Sequence, residues 1–167
     1  REPEFQESDI ARVKNIFHEV IGLKRIKNTT YVKKMRGNKM RKGDFSNLAT
    51  DYVRYRPSYN GNLTSMLVKS ILPSVRSIKA ADVGAGTGIF SKCLFDQGIR
   101  DLVAVEPNTE MREAGVKKFG SLINFSAGTA EKTGLTDSSY DLVSMASSFH
   151  WPDTEKALSE FNRILKP

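Results

Sequence analysis

A glycine-rich turn near the middle of the chain holds the residues whose types and spacing could do chemistry. Gly84, Gly86 and Gly88 alternate after Asp82, which lies near the end of a mostly small and apolar run. Glycine lets a ligand come close to the main chain, and a helix starting near Thr87 would direct free N–H groups and its positive dipole end at that ligand. The turn therefore predicts a site for a polar or anionic group, beside the fixed negative charge of Asp82.

An acidic residue on the next predicted strand supports this interpretation. That strand covers 101–106 and ends in Glu106, 22 residues after Gly84. A carboxylate at this distance is what a fold needs to bind the two ribose hydroxyls of a nucleoside. A dinucleotide fingerprint would place its third glycine where this chain has Ile89. The pattern therefore indicates a nucleoside without a diphosphate, and it counts against a nicotinamide dehydrogenase.

Alternating strands and helices are predicted to position these groups. The predicted strands cover 78–83, 101–106, 121–126 and 142–146, and the predicted helices cover 63–72, 89–97, 109–119 and 154–165. Gly98 would follow one of these helices, and Asp153 or Thr154 would cap another. Open parallel sheets bind ligands at the carboxyl ends of their strands, so the loop 147–153 is expected to face the same site.

Six motifs, taken together and in this order, resemble those of class I S-adenosylmethionine (SAM) methyltransferases. They lie at 82–88, 105–108, 128–131, 139–143, 149–151 and 163–167. The resemblance runs from about Phe45 to the last residue and points to the small-molecule branch called type 11. It implies a Rossmann-like α/β fold in three layers, α/β/α, with a mostly parallel sheet whose present strands have the order 3-2-1-4. It also implies SAM as the cofactor, S-adenosylhomocysteine (SAH) as the product and a small-molecule methyl acceptor.

The same resemblance implies which side chains contact the cofactor. Tyr52 would cover it, and Arg56 would hold its methionine carboxylate, because a guanidinium makes a paired, charge-assisted bond to a carboxylate. Alternatively, Tyr52 is a packing aromatic and Arg56 is a surface ion. Met111 would lie near the adenine, unless it only fills the core, and Glu131 would meet the adenine amino group. The other implied cofactor contacts are Asp82, Gly84, Ala85, Gly86, Gly88, Glu106, Pro107, Ala130, Ala146 and Ser147.

Methyl transfer from a sulfonium needs alignment and the exclusion of water more than it needs a nucleophile. The sequence contains no Gly-x-Ser-x-Gly motif and no paired His-Cys cluster, so neither a nucleophilic serine nor a metal site is predicted. His150 is the one candidate for proton transfer, since imidazole titrates near neutrality. The alternative is that His150 and Trp151 pack together and line the acceptor pocket.

The first 43 residues differ in charge from the rest of the chain. They carry 12 Lys and Arg against 5 Asp and Glu, which accounts for the whole net charge of +7. Nine of the basic residues lie in 20–43, a stretch without any acid. The stretch predicts either a solvated linker or an arm that binds RNA or another polyanion. The expected division is an N-terminal helix with a basic linker or arm, 1–43, and a SAM-binding domain, 44–167.

Two alternatives to small-molecule methylation stay open from the residues. One is a methyltransferase that the basic arm directs to RNA or another polyanion, and the other is a non-catalytic SAM-binding or interaction module. The family has three further strands, so the fourth strand here would be a bare edge with its apolar face uncovered. Either missing residues or another chain would complete the sheet.

Cysteine content and hydropathy set the expected compartment. The one cysteine, Cys93, excludes an internal disulfide and fits a reducing cytosol, where we expect it to be a small buried residue. No apolar run approaches the roughly 20 residues of a membrane span. The sequence therefore predicts a cytoplasmic protein without a membrane span.

Overall fold

The computed structural model describes residues 59, 61–71 and 77–167. All of them belong to the unit Met40–Pro167, one of the two units into which the chain divides. The predicted N-terminal helix, the basic stretch 20–43 and the cofactor contacts Tyr52 and Arg56 lie outside the described residues, so they stay predictions, as does the division at residue 43. No helix in the described ranges is long and apolar enough to cross a membrane.

Helices and parallel strands alternate along this part of the chain. They are α1 Gly61–Ile71, β1 Lys79–Val83, α2 Ile89–Asp96, β2 Asp101–Val105, α3 Thr109–Phe119, β3 Asn124–Ser126, β4 Leu142–Ser144 and α4 Thr154–Ile164. The prediction of β3 over 121–126 was too long, because the last turn of α3 continues past its end. The N–H groups of Leu122 and Ile123 both donate to Phe119 O, at 2.8 and 2.9 Å.

The start of α2 agrees with the predicted helix 89–97, but not with the helix start near Thr87 that was expected from the glycine turn. The helix begins at Ile89 rather than near Thr87, because Gly86 and Gly88 have φ angles of 59° and 79°. Such left-handed residues cannot belong to a right-handed helix, so the turn extends through Gly88. Cys93 lies on α2 and is half-buried, not buried as predicted. The buried residues of this helix are Ser91 and Leu94.

The sheet has the order β3-β2-β1-β4, and all of its strand pairs are parallel. This confirms the predicted order 3-2-1-4. In the register of β1, Asp82 lies beside Ala104 of β2 on one side and Ser144 of β4 on the other. The loops that leave the carboxyl ends of β1, β2 and β4 therefore meet at one edge of the sheet.

Helices cover both faces of the sheet, which gives the predicted three layers. Successive residues of β1 point to opposite faces. Ala80 packs in a core with Leu94 of α2 and Val68 of α1. Ala81 packs in a second core with Ile164 of α4 on the other face. Helices on both faces explain why β1 is buried along almost its whole length.

β4 lies at the edge of the sheet, as expected, but its apolar residues are half-buried rather than uncovered. Leu142 packs against the core on one face, and Val143 packs on the other against the cluster that contains Ala157 of α4. Just before β4, Tyr140 forms a parallel bridge with Leu165. Its N–H donates to Ile164 O at 3.0 Å, and its carbonyl accepts from Lys166 N at 2.9 Å. The fold thus brings the chain after α4 alongside the start of β4.

Candidate functional site

The glycine turn at the end of β1 is shaped by its neighbours as well as by its dihedral angles. Gly84 has a φ of 64°, and a Cβ atom there would lie 2.7 Å from Ser148 Oγ. A Cβ atom at Gly88, where φ is 79°, would lie 2.7 Å from Cζ of Phe125. Positive φ and lack of space therefore both require glycine at these two positions.

Glu106 is bound to the glycine turn from the end of β2. Its Oε2 accepts from Gly86 N at 2.7 Å, and its Oε1 accepts from Asn108 N at 2.9 Å. Burial raises the pKa of this carboxyl, while the two N–H groups and the charge of Arg112 oppose the rise. Each carboxylate oxygen can accept more than one hydrogen bond. The carboxylate is therefore held in a fixed position and keeps capacity to accept from a ligand.

Asp82 is a second fixed acid, and its environment was not foreseen from the sequence. The residue is fully buried. Its Oδ2 accepts from Ser91 Oγ of α2 at 2.6 Å, and its Oδ1 accepts from Ser144 Oγ of β4 at 2.8 Å. Desolvation raises the pKa of Asp82 to about 6 against the two hydroxyl bonds, and the charge of Glu106 adds to the rise. Two hydroxyl groups therefore stabilise the ionised form of this buried acid.

A small cleft opens at the carboxyl ends of β1 and β4. It is lined by Tyr59, Asp82, Gly84, Ala85, Ile89, Phe90 and Ala146. The ring of Tyr59 meets that of Phe90 edge-on, with centroids 4.9 Å apart. Its hydroxyl donates to Ser147 Oγ at 3.1 Å. Tyr59 was not predicted as a site residue, although it follows Arg56, which the resemblance nominated, by three positions.

Ser147 lies in the loop after β4, in a backbone conformation that is rare for a serine. Its φ is 58°. Such strain tends to be kept at functional sites, where the surrounding structure enforces it. Here the neighbouring Ser148 donates to Gly84 O at 3.3 Å. The predicted contacts Ala146 and Ser147 thus lie where the glycine turn and the loop 147–153 meet.

The loop after β3 is held by hydrogen bonds to α4 and to its N-cap. Glu131 Oε1 accepts from the N–H of Asp153, the N-cap of α4, at 3.0 Å. Thr133 is fully buried and donates to Glu160 Oε1 through its N–H at 2.7 Å and its hydroxyl at 2.5 Å. The hydrogen bond from Arg163 and those from Thr133 lower the pKa of Glu160 to about 2 against its desolvation. These bonds fix the loop that carries Ala130 and Glu131.

The remaining predicted contacts occupy different environments. Met111 is 3% exposed and Ala130 is 6% exposed, whereas Pro107 is exposed. Their contact with the cofactor stays a prediction. Thr87, in the middle of the glycine turn, has a fully buried hydroxyl without a hydrogen-bond partner in the described part of the chain. A buried polar atom of this kind beside a proposed ligand site fits a turn that binds a polar group.

His150 is exposed in the loop before α4. Its ring and that of Trp151 lie 4.7 Å apart between centroids, and the ring planes are tilted by 41°. His150 is not among the residues that line the cleft. The geometry fits the alternative in which the two rings pack together. Within the described ranges, no group of His, Cys, Asp and Glu is arranged to hold a metal ion.

A family comparison matches the part of the chain that forms this site. Residues 81–167 match the model of a methyltransferase domain. The match begins inside β1 and includes the glycine turn, Glu106 and the loop 147–153. More than half of the chain is therefore similar to that family.

Individual proteins show the same similarity. An uncharacterised methyltransferase-like protein of Schizosaccharomyces pombe is 35% identical over 74% of this chain and 47% of its own length. An uncharacterised methyltransferase of Mycobacterium tuberculosis is 36% identical over 74% of this chain and 48% of its own. A crystal structure from Thermotoga maritima, described as a SAM-dependent methyltransferase and possible histamine N-methyltransferase, is 31% identical. It covers 73% of this chain and 55% of that chain, with a TM-score of 0.56. This chain spans about half the length of the curated relatives it matches.

Proposed function

This chain belongs to the class I SAM-dependent methyltransferases, and we propose that it binds SAM at the carboxyl ends of β1, β2 and β4 and transfers a methyl group to a small molecule. The observation that carries the proposal is the hydrogen bond from Gly86 N to Glu106 Oε2, at 2.7 Å. It places the buried carboxylate at the end of β2 directly against the glycine turn at the end of β1. That junction suits a ribose, whose two hydroxyls donate to the carboxylate.

The charges around the turn support SAM over a dinucleotide. Asp82 and Glu106 are both buried at the ends of neighbouring strands. Two acids at one site disfavour a pyrophosphate through repulsion between like charges, whereas they favour a cation. SAM supplies an activated methyl group on a sulfonium, and it also carries an ammonium group. The negative charges of these two acids therefore complement the positive charges of SAM.

The ends of the cofactor are assigned from the order of the strands. Glu106 lies at β2 and the loop with Ala130 and Glu131 follows β3, so the nucleoside would lie on that side of the sheet. The cleft between Asp82 and Tyr59 lies on the β1 and β4 side, where the amino-acid end would bind. The methyl group would then point towards the loop 147–153. We propose that the acceptor binds against this loop.

The side chains around the cleft would act by alignment. Phe90 and Tyr59 form an apolar wall, and walls of this kind exclude water and restrict the approach of the two reactants. For His150 we propose a place in the wall of the acceptor pocket with Trp151. Proton transfer by His150 would be needed only for a hydroxyl or a carbon acid as the acceptor.

Calorimetry of the full chain with SAH tests the proposed cofactor. Glu106→Gln keeps an acceptor for Gly86 N but lacks the charge, so we expect SAH to bind more weakly by about 1–3 kcal/mol, or roughly 5- to 150-fold in Kd. Glu113→Gln is a matched control, because Glu113 is an exposed acid of α3. Absence of heat with both SAM and SAH, or binding of NAD in their place, would contradict the proposal.

The acceptor class needs a separate measurement. Methyl transfer from labelled SAM to a small-molecule extract, compared with transfer to total RNA, distinguishes the two acceptor classes. Transfer to the small-molecule fraction supports the proposal. Transfer to RNA that falls steeply with salt would instead indicate that the basic stretch 20–43 recruits a polyanion.

A further inference from the structure

We propose that Ser91 and Ser144 are positioning residues that hold the Asp82 carboxylate ionised and oriented toward the cationic amino-acid end of the cofactor. The inference rests on the proposed function, because it assumes that the cleft beside Asp82 binds that end of SAM. It adds two residues to the site that neither the glycine motif nor the family comparison identifies.

The geometry of the three side chains carries the inference. Asp82 is fully buried, and each of its oxygens accepts from a different hydroxyl. Ser91 Oγ lies 2.6 Å from Oδ2, and Ser144 Oγ lies 2.8 Å from Oδ1. The Ser91 bond has the short length typical of a hydroxyl donating to a charged acceptor, and the Ser144 bond has the ordinary length of a hydroxyl hydrogen bond. The carboxylate is thereby fixed from two sides and cannot rotate without breaking one bond.

The two serines come from different elements that meet at the cleft. Ser91 is fully buried in α2, the helix that follows the glycine turn. Ser144 ends β4 and lies beside Asp82 in the strand register. The loop 147–153, against which the acceptor is proposed to bind, starts three residues later. Asp82 therefore links the element that shapes the cofactor site to the strand that leads to the acceptor side.

The charges around Asp82 leave it suited to a cationic ligand. Glu106, at the end of β2, is the charged group in the described part of the chain that acts on Asp82, and it is also an acid. The ion pairs found in that part of the chain involve other acids. The groups that α2 and β4 turn towards Asp82 are the two hydroxyls and the backbone of Ser91, none of which is a cation. A buried carboxylate that lines a cleft and has hydroxyls instead of a cation around it is complementary to a ligand cation.

The serines would act by favouring the ionised form of Asp82. A hydroxyl that donates to a carboxylate stabilises its charge, so it lowers the pKa against the effect of burial. Both serine bonds lower the pKa of Asp82, which burial has raised to about 6. With either hydroxyl removed, the acid would protonate at higher pH. The affinity for a cationic ligand would then be lost at a higher pH as well.

The pH dependence of ligand binding tests this role. We would titrate the full chain with SAH between pH 5 and 7.5, below the range of about 7.7–8.0 in which an α-amino group loses its proton. For the unaltered chain, SAH affinity should fall towards the acid end of this range, as Asp82 becomes protonated. We call this part of the pH profile the acid limb. Ser91→Ala and Ser144→Ala should each move that limb upward by about one pH unit, the equivalent of one charge-assisted hydrogen bond. Ser91→Thr and Ser144→Thr keep the hydroxyl, so the pH dependence of SAH affinity in these variants should match that of the unaltered chain.

Two comparisons make the outcome decisive. 5′-Methylthioadenosine has the same nucleoside but no amino-acid end, so the serine substitutions should not shift the pH dependence of its affinity. Ser139→Ala is the matched control, because the Ser139 hydroxyl donates to Asp137 O away from the cleft, at 2.8 Å. Ser139→Ala should leave the pH dependence of binding unchanged for both SAH and 5′-methylthioadenosine. Melting temperatures of all variants identify any that fail to fold, and the threonine variants then carry the test.

The results separate the inference from the function on which it rests. If neither SAH nor 5′-methylthioadenosine binds the unaltered chain, the proposed function fails. If both bind but the alanine variants leave the acid limb where it was, the inference is overturned and the function stands. Equal losses for both ligands at every pH would also overturn it, because they would show a purely structural role for the hydroxyls.

Discussion

The ring of Phe125 fills the space beside Gly88 in which any other residue would carry its Cβ atom. Its Cζ lies 2.7 Å from that position, and it lies 2.6 Å from the corresponding position at Gly115 of α3. One side chain of β3 thus packs against both the glycine turn and the helix after Glu106. The spacing between the glycine turn and α3 therefore depends on an aromatic ring that belongs to neither.

Gly88→Ala should destabilise the fold more than a positive φ alone would. The φ of 79° costs about 1–2 kcal/mol for alanine, and the clash with Phe125 should add about 1–3 kcal/mol. Gly134→Ala is the matched control, since Gly134 has a φ of 74° and nothing within 4 Å of its Cβ position. Urea denaturation measures both losses, and equal values would show that Phe125 yields without cost.

Asp82 should make the free energy of unfolding fall as the pH rises from about 4 to about 6. Its pKa is raised from 3.8 to about 6 by burial, so the folded state favours the protonated form. The contribution is fully present below the unfolded pKa and is lost as the pH rises through the folded pKa. Two pKa units correspond to on the order of 3 kcal/mol. Asp82→Asn cannot ionise, and a slope that persists in that variant would assign it to another group.

Glu160 should make the free energy of unfolding fall as the pH falls, which is the opposite of the effect of Asp82. Its pKa is lowered to about 2 by Arg163 and Thr133, against desolvation. The stability it contributes is present above the usual glutamate pKa and is lost as the pH falls towards 2. At pH 7, Glu160→Ala should cost about 1–3 kcal/mol, because it leaves two buried polar groups of Thr133 without their acceptor. Asp96→Ala, which breaks an exposed pair with Lys92, should cost at most about 0.5 kcal/mol.

Tyr59→Phe should weaken SAH binding while leaving the fold intact. The change removes the hydrogen bond to Ser147 but keeps the ring contact with Phe90. We expect a loss of about 0.5–1.5 kcal/mol in SAH affinity, measured by calorimetry alongside the melting temperature. Tyr59→Ala removes the ring as well and should bind more weakly still. Unchanged affinity in both variants would show that Tyr59 does not cover the bound ligand.

The strand order and the glycine turn were predictable because the determining residues lie close together in sequence. Gly84, Gly86 and Gly88 specify the turn, and one strand later Glu106 gives the partner acid. The bounds of β3 were not predictable in the same way. The apolar residues of 121–126 fit a strand, but the hydrogen bonds to Phe119 O extend the last turn of α3 into that stretch. Local propensity could not decide between the two.

The polar contacts at the cleft depend on register, which the sequence does not state. Ser144 meets Asp82 only because β4 pairs with β1 in the observed register, and the two residues are 62 positions apart. A shift of one residue would turn the serine to the other face of the sheet. Tyr59 and Ser147 are 88 positions apart and meet through a hydrogen bond between side chains. No periodicity in the sequence indicates either pair.

The two buried acids beside the glycine turn bear on turnover under the proposed function. Asp82 and Glu106 attract a positively charged donor more strongly than the same molecule after its sulfur has become neutral. Loss of one unit of charge on the ligand lowers that attraction without any movement of the protein. The same pair of carboxylates would therefore favour capture of fresh donor and departure of spent donor, which limits inhibition by the by-product.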